Sequence, residues 1–285
     1  MHIEEIIQKI APTDKECAQL AQARFDALIK PVGSLAQLEK MTAKYAGIVG
    51  KYNKHELDYP KRELLVWCGI EQAEQAGKIM QAEWPVNVLA AETGAKTQAL
   101  LVTAESVEDA LEEGATLVQE SIHERGLGLL GFGCLSSLDD KMVLAAMTGG
   151  ILQAAAMGVG VMLDGVATLK AAQKAQELAP AVLDYCFAGH VSAEEGAKEL
   201  LKELGLVAPL RLDIPDGAGE GAALCFTLLD AGIKSYKEME TFEEASVHAE
   251  VKEFSLAEQE KKVKSGLIKE TRNGKNLFNS PWRDR

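Results

Sequence analysis

The segment Asp216-Gly217-Ala218-Gly219-Glu220-Gly221 comes nearest to chemistry by residue type and spacing. It follows an apolar run, Pro209 to Ile214, that reads as a strand, and it opens an apolar helical pattern from Gly219 to Ala231. Free amides at a helix N-terminus, with no Cβ in the way, can hold a phosphate or another anion. The same residues also make a tight strand-to-helix turn that binds nothing, and Glu220 opposes an anion there; the pattern leaves both open. Asp164-Gly165 closes a second apolar run, Val159 to Leu163. That is the carboxyl end of a strand, where open α/β sheets place ligands, although Asp-Gly equally forms turns. His190 stands just before Ser192-Ala193-Glu194-Glu195, which spells a capping box opening a helix to Leu204. A lone histidine in that place more often makes a structural hydrogen bond than transfers a proton.

Other chemistries are excluded by spacing. Gly126, Gly128 and Gly131 match GxGxxG, but they lie inside an apolar strand after a helix, and Asp139 and Asp140 come too early to bind a ribose. They fit close backbone packing instead. No His/Cys/Asp cluster has metal-ligand spacing, and no serine nucleophile elbow is present. Cys17, Cys68, Cys134, Cys186 and Cys225 form no CxxC pair and read as reduced core thiols of a cytoplasmic protein. The start, Met1-His2-Ile3-Glu4-Glu5, lacks the basic region of a signal peptide. The formal charge of -13 argues against nucleic acid as a partner.

The elements that must position these residues follow from periodicity. Residues 1–58 are helical in pattern, broken at Lys30 to Ser34. Strands are expected at Glu63 to Gly69, Thr97 to Val102, Leu127 to Phe132, Val159 to Leu163 and Pro209 to Ile214. Helices are expected at Val86 to Glu92, Ser106 to Glu124, Ala167 to Leu178, Ser192 to Leu204 and Gly219 to Ala231. Met142 to Leu163 is uncharged and long enough for a membrane span, but its glycines and its Asp164-Gly165 stop make it a buried helix feeding a buried strand. Such alternation implies an α/β fold: a three-layer, mostly parallel, Rossmann-like sheet with helices on both faces. After Thr241 the chain reads as helical and increasingly basic, with a polar tail from about Ser265 that is mobile or contacts a partner.

Several stretches, read together, resemble the CobT family of nicotinate mononucleotide:base phosphoribosyltransferases. Leu28-Ile29-Lys30-Pro31-Val32-Gly33-Ser34-Leu35 with Leu38-Glu39 is similar to the family's KPxGSLGxLE signature, with Ala36 in place of a glycine. Val88 to Ala95 is similar to a family helix end. Met147-Thr148-Gly149-Gly150 through Leu163-Asp164-Gly165 resembles its MTG…LLDG segment, and Gly189 to Glu194 its SHxSxE run. Gly217 to Leu224 resembles GEGSGAAL, and Thr241 to Ala245 the C-terminal signature. The resemblance implies an α/β core over residues 60–235, a small helical domain from 1–59 and 236–285, and dimers.

The departures point to lost chemistry. The resemblance makes the glutamate of GEGSGAAL the general base, and that position is Ala218; Glu220 occupies a serine position. The ADHGV segment reads Cys68-Gly69-Ile70-Glu71-Gln72, and the glutamate after Gly131-Phe132-Gly133 is Cys134. The long region that helps hold the phosphoribosyl donor is reduced to Leu135 to Leu144. The resemblance therefore implies a catalytically degenerate subunit with no intact base. It would pair with a homologous intact subunit, as in the two-subunit, phenol-attaching ArsAB form, of which this is the ArsB-type half. The pair would use nicotinate mononucleotide and a phenolic or benzimidazole base, with no metal or organic cofactor. The ligand-binding candidates are Gly217, Gly219, Gly221, Asp164, His190 and Ser192, and Glu220 is the fallback base of a self-sufficient transferase. The remaining alternative is a non-enzymatic nucleotide- or base-binding protein.

Overall fold

Arg62–Cys68 carries the apolar run Leu64-Leu65-Val66-Trp67 and forms β1, buried on both faces after its first residue. A strand of that composition needs helices above and below it. The computed structural model describes residues 2–245, 268–270 and 276–278. Around β1 it assembles β2 (Lys96–Leu101), β3 (Leu129–Cys134), β4 (Gly160–Leu163) and β5 (Cys186–Ala188). The sheet order is β2-β1-β3-β4-β5, and every pairing is parallel. This doubly wound order reverses direction between β1 and β3. The crevice at their carboxyl ends is where such sheets take ligands.

Three helices precede the sheet: α1 (Ile3–Ile7), α2 (Lys15–Ala27) and α3 (Gln37–Val49). Between β1 and β2 lie α4 (Ala73–Met80) and α5 (Pro85–Glu92), with Gly94 (φ 71°) just past the α5 C-cap Thr93. Between β2 and β3 lies α6 (Val107–Arg125), capped by Ser106, with Glu108 and Asp109 in its first turn. Between β3 and β4 lies α7 (Lys141–Ala156), and α8 (Gly165–Leu178) follows β4. Then come α9 (Ala197–Glu203) and the long α10 (Glu220–Glu238). The uncharged stretch is thus α7 running into β4, and among the described residues no helix is long and apolar enough to cross a membrane.

Small residues let two of these helices touch. A Cβ on Gly114 would collide with the Ala146 carbonyl, and one on Gly149 with that of Leu111, so the α6 and α7 backbones are in direct contact. Across the core, Trp67 meets Phe132 edge-on at 5.3 Å and Phe25 packs on Tyr236 at 5.1 Å. The second pair joins α2 to α10. Met1–Met239 forms one compact unit, and Glu240–Arg285 forms another.

Two expectations are corrected. Pro209 to Ile214 makes only a single parallel bridge, Leu210 to His190, and the fifth strand is Cys186–Ala188. The longer run is bent at Asp213 (φ 54°) and exposes Arg211 and Asp213; the true strand is too short to show a period. The helix expected from Ser192 begins at Ala197, because Gly196 (φ 84°) interrupts the chain and the Ser192 hydroxyl serves Glu194 instead. Within the polar tail, β6 (Ile268–Glu270) pairs antiparallel with β7 (Asn276–Phe278). The rest of the C-terminal helix and tail expected after Thr241 lies largely outside the described residues. A capping box does form at Thr241: its amide donates to Glu244 Oε2 and its hydroxyl accepts from Glu244 N, both at 3.0 Å.

Candidate active site

β4 delivers Asp164 to the carboxyl edge of the sheet, 1% exposed. Its Oδ2 accepts from the amides of Gly219, at 3.1 Å, and Gly221, at 2.9 Å. Its Oδ1 lies 2.6 Å from His190 Nδ1. The glycine loop therefore holds an anion, but the anion is the chain's own carboxylate. Gly221 must lack a side chain because a Cβ there would collide with the His190 ring and approach Asp164. This internal cap accounts for the glycines without a ligand.

His190 is buried, which works against its charged form. The hydrogen bond and charge of Asp164 outweigh burial, the Ile214 carbonyl adds to them, and the ring is held above the usual histidine value. Ser192 Oγ donates to Glu194 Oε2 at 2.9 Å, and the same oxygen accepts from Val166 N, at 2.8 Å, in the first turn of α8. Glu194 thus caps α8 from a distant loop, a role no local spacing announces. A polar cavity of about 410 Å³ opens beside these residues, lined by Ser192, Glu194, Lys198 and Arg211 among others.

Ala218 is fully buried. A Cβ on Gly133 would collide with its backbone, and Cys134 N donates to the Gly217 carbonyl at 2.7 Å, so the loop is stitched to the end of β3. Glu220, the first residue of α10, is 7% exposed. Its Oε2 is buried and has no hydrogen-bond partner. Burial, then the charges of Asp216 and Asp164, push its carboxyl up to about 7. Cys134 carries no chemistry: burial pushes its thiol up to about 12, and that of Cys68 to about 11.

The switch point between β1 and β3 is closed by the chain itself. Ser136 Oγ donates to Gln72 Oε1 at 2.7 Å and accepts from Gly69 N at 2.6 Å. Leu135 N donates to the Trp67 carbonyl at 2.9 Å, and Asp140 caps α7 through Met142 N and Val143 N. The short connector after β3 is thereby tied across the end of β1.

The Lys30 signature is structural in its contacts. Lys30 Nζ meets Glu39 Oε1 at 2.7 Å, with the two side chains 5% and 2% exposed. Glu39 also accepts from Leu35 N and Gln22 Nε2. Burial opposes its charge, but these bonds hold its carboxyl below the usual range. Pro31, Gly33 and Ser34 form the turn that this pair pins, with Ser34 N donating to the Pro31 carbonyl. The structure thus brings Asp164, His190, Gly217, Gly219, Gly221 and Glu220 together, with Ser192 alongside, and gives Lys30 its partners among the N-terminal helices.

A family model described as phosphoribosyltransferase matches residues 10–99 and 142–247. The nicotinate-nucleotide–dimethylbenzimidazole phosphoribosyltransferase of Chlorobium chlorochromatii (strain CaD3) is 26% identical over 352 aligned residues, covering 87% of this chain and 98% of the relative. That of Geobacter sulfurreducens is 27% identical over 346, covering 85% and 97%. Both alignments are longer than this 285-residue chain, so the relatives contain stretches with no counterpart here. The crystal structure of CobT from Thermus thermophilus superposes with a TM-score of 0.72 at 21% identity, over 82% of this chain and 99% of that one, which establishes the shared fold. With the family's match spanning more than half of its residues, this chain belongs to the phosphoribosyltransferase family DBI_PRT.

Proposed function

We propose that this chain is the catalytically degenerate subunit of a cytoplasmic nicotinate mononucleotide:base phosphoribosyltransferase, completed by a homologous intact subunit. The observation that carries the reading is the pair of losses at the carboxyl edge. A buried methyl, Ala218, stands where the family resemblance puts the base, and the connector tied by Ser136 lies across the β1/β3 crevice. The relatives named above act, by their names, on nicotinate nucleotide and dimethylbenzimidazole. For the pair, the reaction is transfer of 5-phosphoribosyl to a benzimidazole or phenolic base with release of nicotinate. A carboxylate of the intact subunit takes the acceptor proton, and fixed amide dipoles stabilise the separating charge. No metal or organic cofactor enters this reading. Gly217 to Gly221, Asp164, His190 and Ser192 shape the wall of the shared site. The division into a core over 60–235 and a helical satellite from 1–59 and 236–285 is part of the proposal. The test is phosphoribosyl transfer to dimethylbenzimidazole and to phenol, with this chain alone and with the co-expressed homologue. Activity only with the homologue supports the reading.

One observation favours a second reading, a self-sufficient transferase with Glu220 as base. Its carboxyl sits near 7 with an unpaired oxygen, a fitting proton acceptor at neutral pH. Under that reading Glu220→Gln abolishes turnover by the chain alone; under the subunit reading the complex keeps its rate within a few-fold. A non-enzymatic nucleotide binder is disfavoured because the amides of Gly219 and Gly221 already serve Asp164.

A further inference from the structure

A second cavity lies between α3 and β5, apart from the Asp164 cluster. Gln37, Lys40, Met41 and Lys44 recur at intervals of three or four residues and so share one side of α3. Together with Phe187 of β5 and Leu206 they line a cavity of about 200 Å³. β5 is the last strand of the sheet. Gly205 (φ 64°) ends α9, and Leu206 N turns back to the Leu201 carbonyl at 2.9 Å, which fixes the wall that Leu206 contributes.

The lysines give this cavity its chemistry. Lys44 Nζ donates to the carbonyls of Leu183, at 2.9 Å, and Cys186, at 2.5 Å, and lies 5.1 Å from the centre of the Phe187 ring. An ammonium has three donors, so one is left over. Among the described residues no carboxylate pairs with it. Burial pushes its amine below the usual lysine value, although Cys186 and Asp184 oppose that shift. A desolvated ammonium held only by carbonyls gains from a counter-ion. Lys40, one turn away, is exposed and has no side-chain hydrogen bond or ion pair among the described residues. Like charges at this spacing repel one another on a helix, and an anion between them relieves the repulsion. Such a pair is the more conspicuous in a chain of net charge -13. Met41 and Phe187, 6% and 4% exposed, make the adjoining wall apolar. The volume lies below the roughly 300 Å³ at which sites for larger ligands begin, too little for a nucleotide.

We infer that this cavity is a binding site for a small organic carboxylate with an apolar body. The carboxylate accepts the third Lys44 proton and pairs with Lys40, while the body lies against Phe187 and Met41. The Gln37 amide is free to donate to the second carboxylate oxygen. None of these side chains takes part in the bonds of the Asp164 cluster, so the site stands whichever subunit supplies the transferase base.

The experiment is calorimetric titration of the full chain with benzoate and with benzamide, its uncharged isostere. Variants are Lys44→Met, Lys40→Glu and Arg211→Ala, the last altering the polar cavity beside Asp164. Circular dichroism and Tm establish that each is folded. Lys40→Glu changes an exposed side chain and keeps the test decisive if Lys44→Met does not fold. The expected result is that benzoate binds about tenfold or more tightly than benzamide. Lys44→Met should lose about tenfold or more in benzoate affinity, Lys40→Glu a smaller factor, and Arg211→Ala none. The site is overturned by absence of benzoate binding up to about 10 mM, where even a millimolar Kd would be saturated. It is equally overturned by equal binding of benzamide, by affinity that survives both lysine changes, or by affinity lost with Arg211→Ala.

Discussion

At the scale of the residue, Asp164 is the hinge of the site. One carboxylate, 1% exposed, holds two helix amides and a histidine. Removing it leaves those groups buried and unpaired, so Asp164→Ala should destabilise the fold by about 3–5 kcal/mol, read as a fall in denaturation midpoint. Glu220 acts in the opposite sense. Its folded pKa, about 7, lies above its ordinary 4.5, so its contribution to stability is fully present below pH 4.5 and is lost as pH rises through about 7. His190, also raised, adds a loss that begins near 6.5. Stability should therefore decline between about pH 5 and 8. Glu220→Gln should flatten that decline and be the more stable form at pH 8, by an amount on the order of 1–3 kcal/mol. Chemical denaturation at pH 5 and pH 8 checks the sign. Ala36 takes a backbone conformation that side chains rarely adopt, with φ 47° and ψ -109°. Ala36→Gly should relieve strain and raise stability by about 1 kcal/mol, measured as an increase in Tm.

At the scale of the element, legibility follows length and periodicity. The apolar runs of β1, β3 and β4, buried on both faces, and the long patterns of α6 and α7 are plain in sequence because they extend over several residues. Asp164 at a strand end is legible from the Val159–Leu163 run before it. β5 is not, since three residues between a 3-10 turn and a glycine give no period. The S-x-x-E spacing at Ser192 spells a cap that does not form, whereas the same spacing at Thr241 forms one. The difference is local geometry: Gly196 (φ 84°) breaks the chain just after the box glutamate Glu195, and the Ser192 hydroxyl is taken by Glu194. Equally invisible in sequence is that the glycine loop's anion is Asp164, because the two lie on separate elements. The helix contact through Gly114 and Gly149 makes its own prediction. Gly149→Val should force α6 and α7 apart and cost about 3 kcal/mol or more, with loss of soluble protein as the readout.

For the whole molecule, the chain belongs to the phosphoribosyltransferase family and shares the fold of its solved member, and the loss of the reactive positions belongs to the proposed reading. A fold supports a function only through the site built on it. Here the carboxyl edge is satisfied by the chain's own groups: Asp164 fills the loop, Ala218 is pressed against β3, and Ser136 fastens the connector over β1. Under the proposed reading, a chain that keeps the scaffold and commits its site to internal bonds completes a partner. The most direct measurement is nicotinate release from nicotinate mononucleotide, with a benzimidazole or phenol acceptor, while this chain is titrated into a fixed amount of the intact homologue. The account predicts no release by this chain alone and a rate that rises and saturates at one copy per homologue. Turnover by this chain alone, abolished by Glu220→Gln, would contradict it.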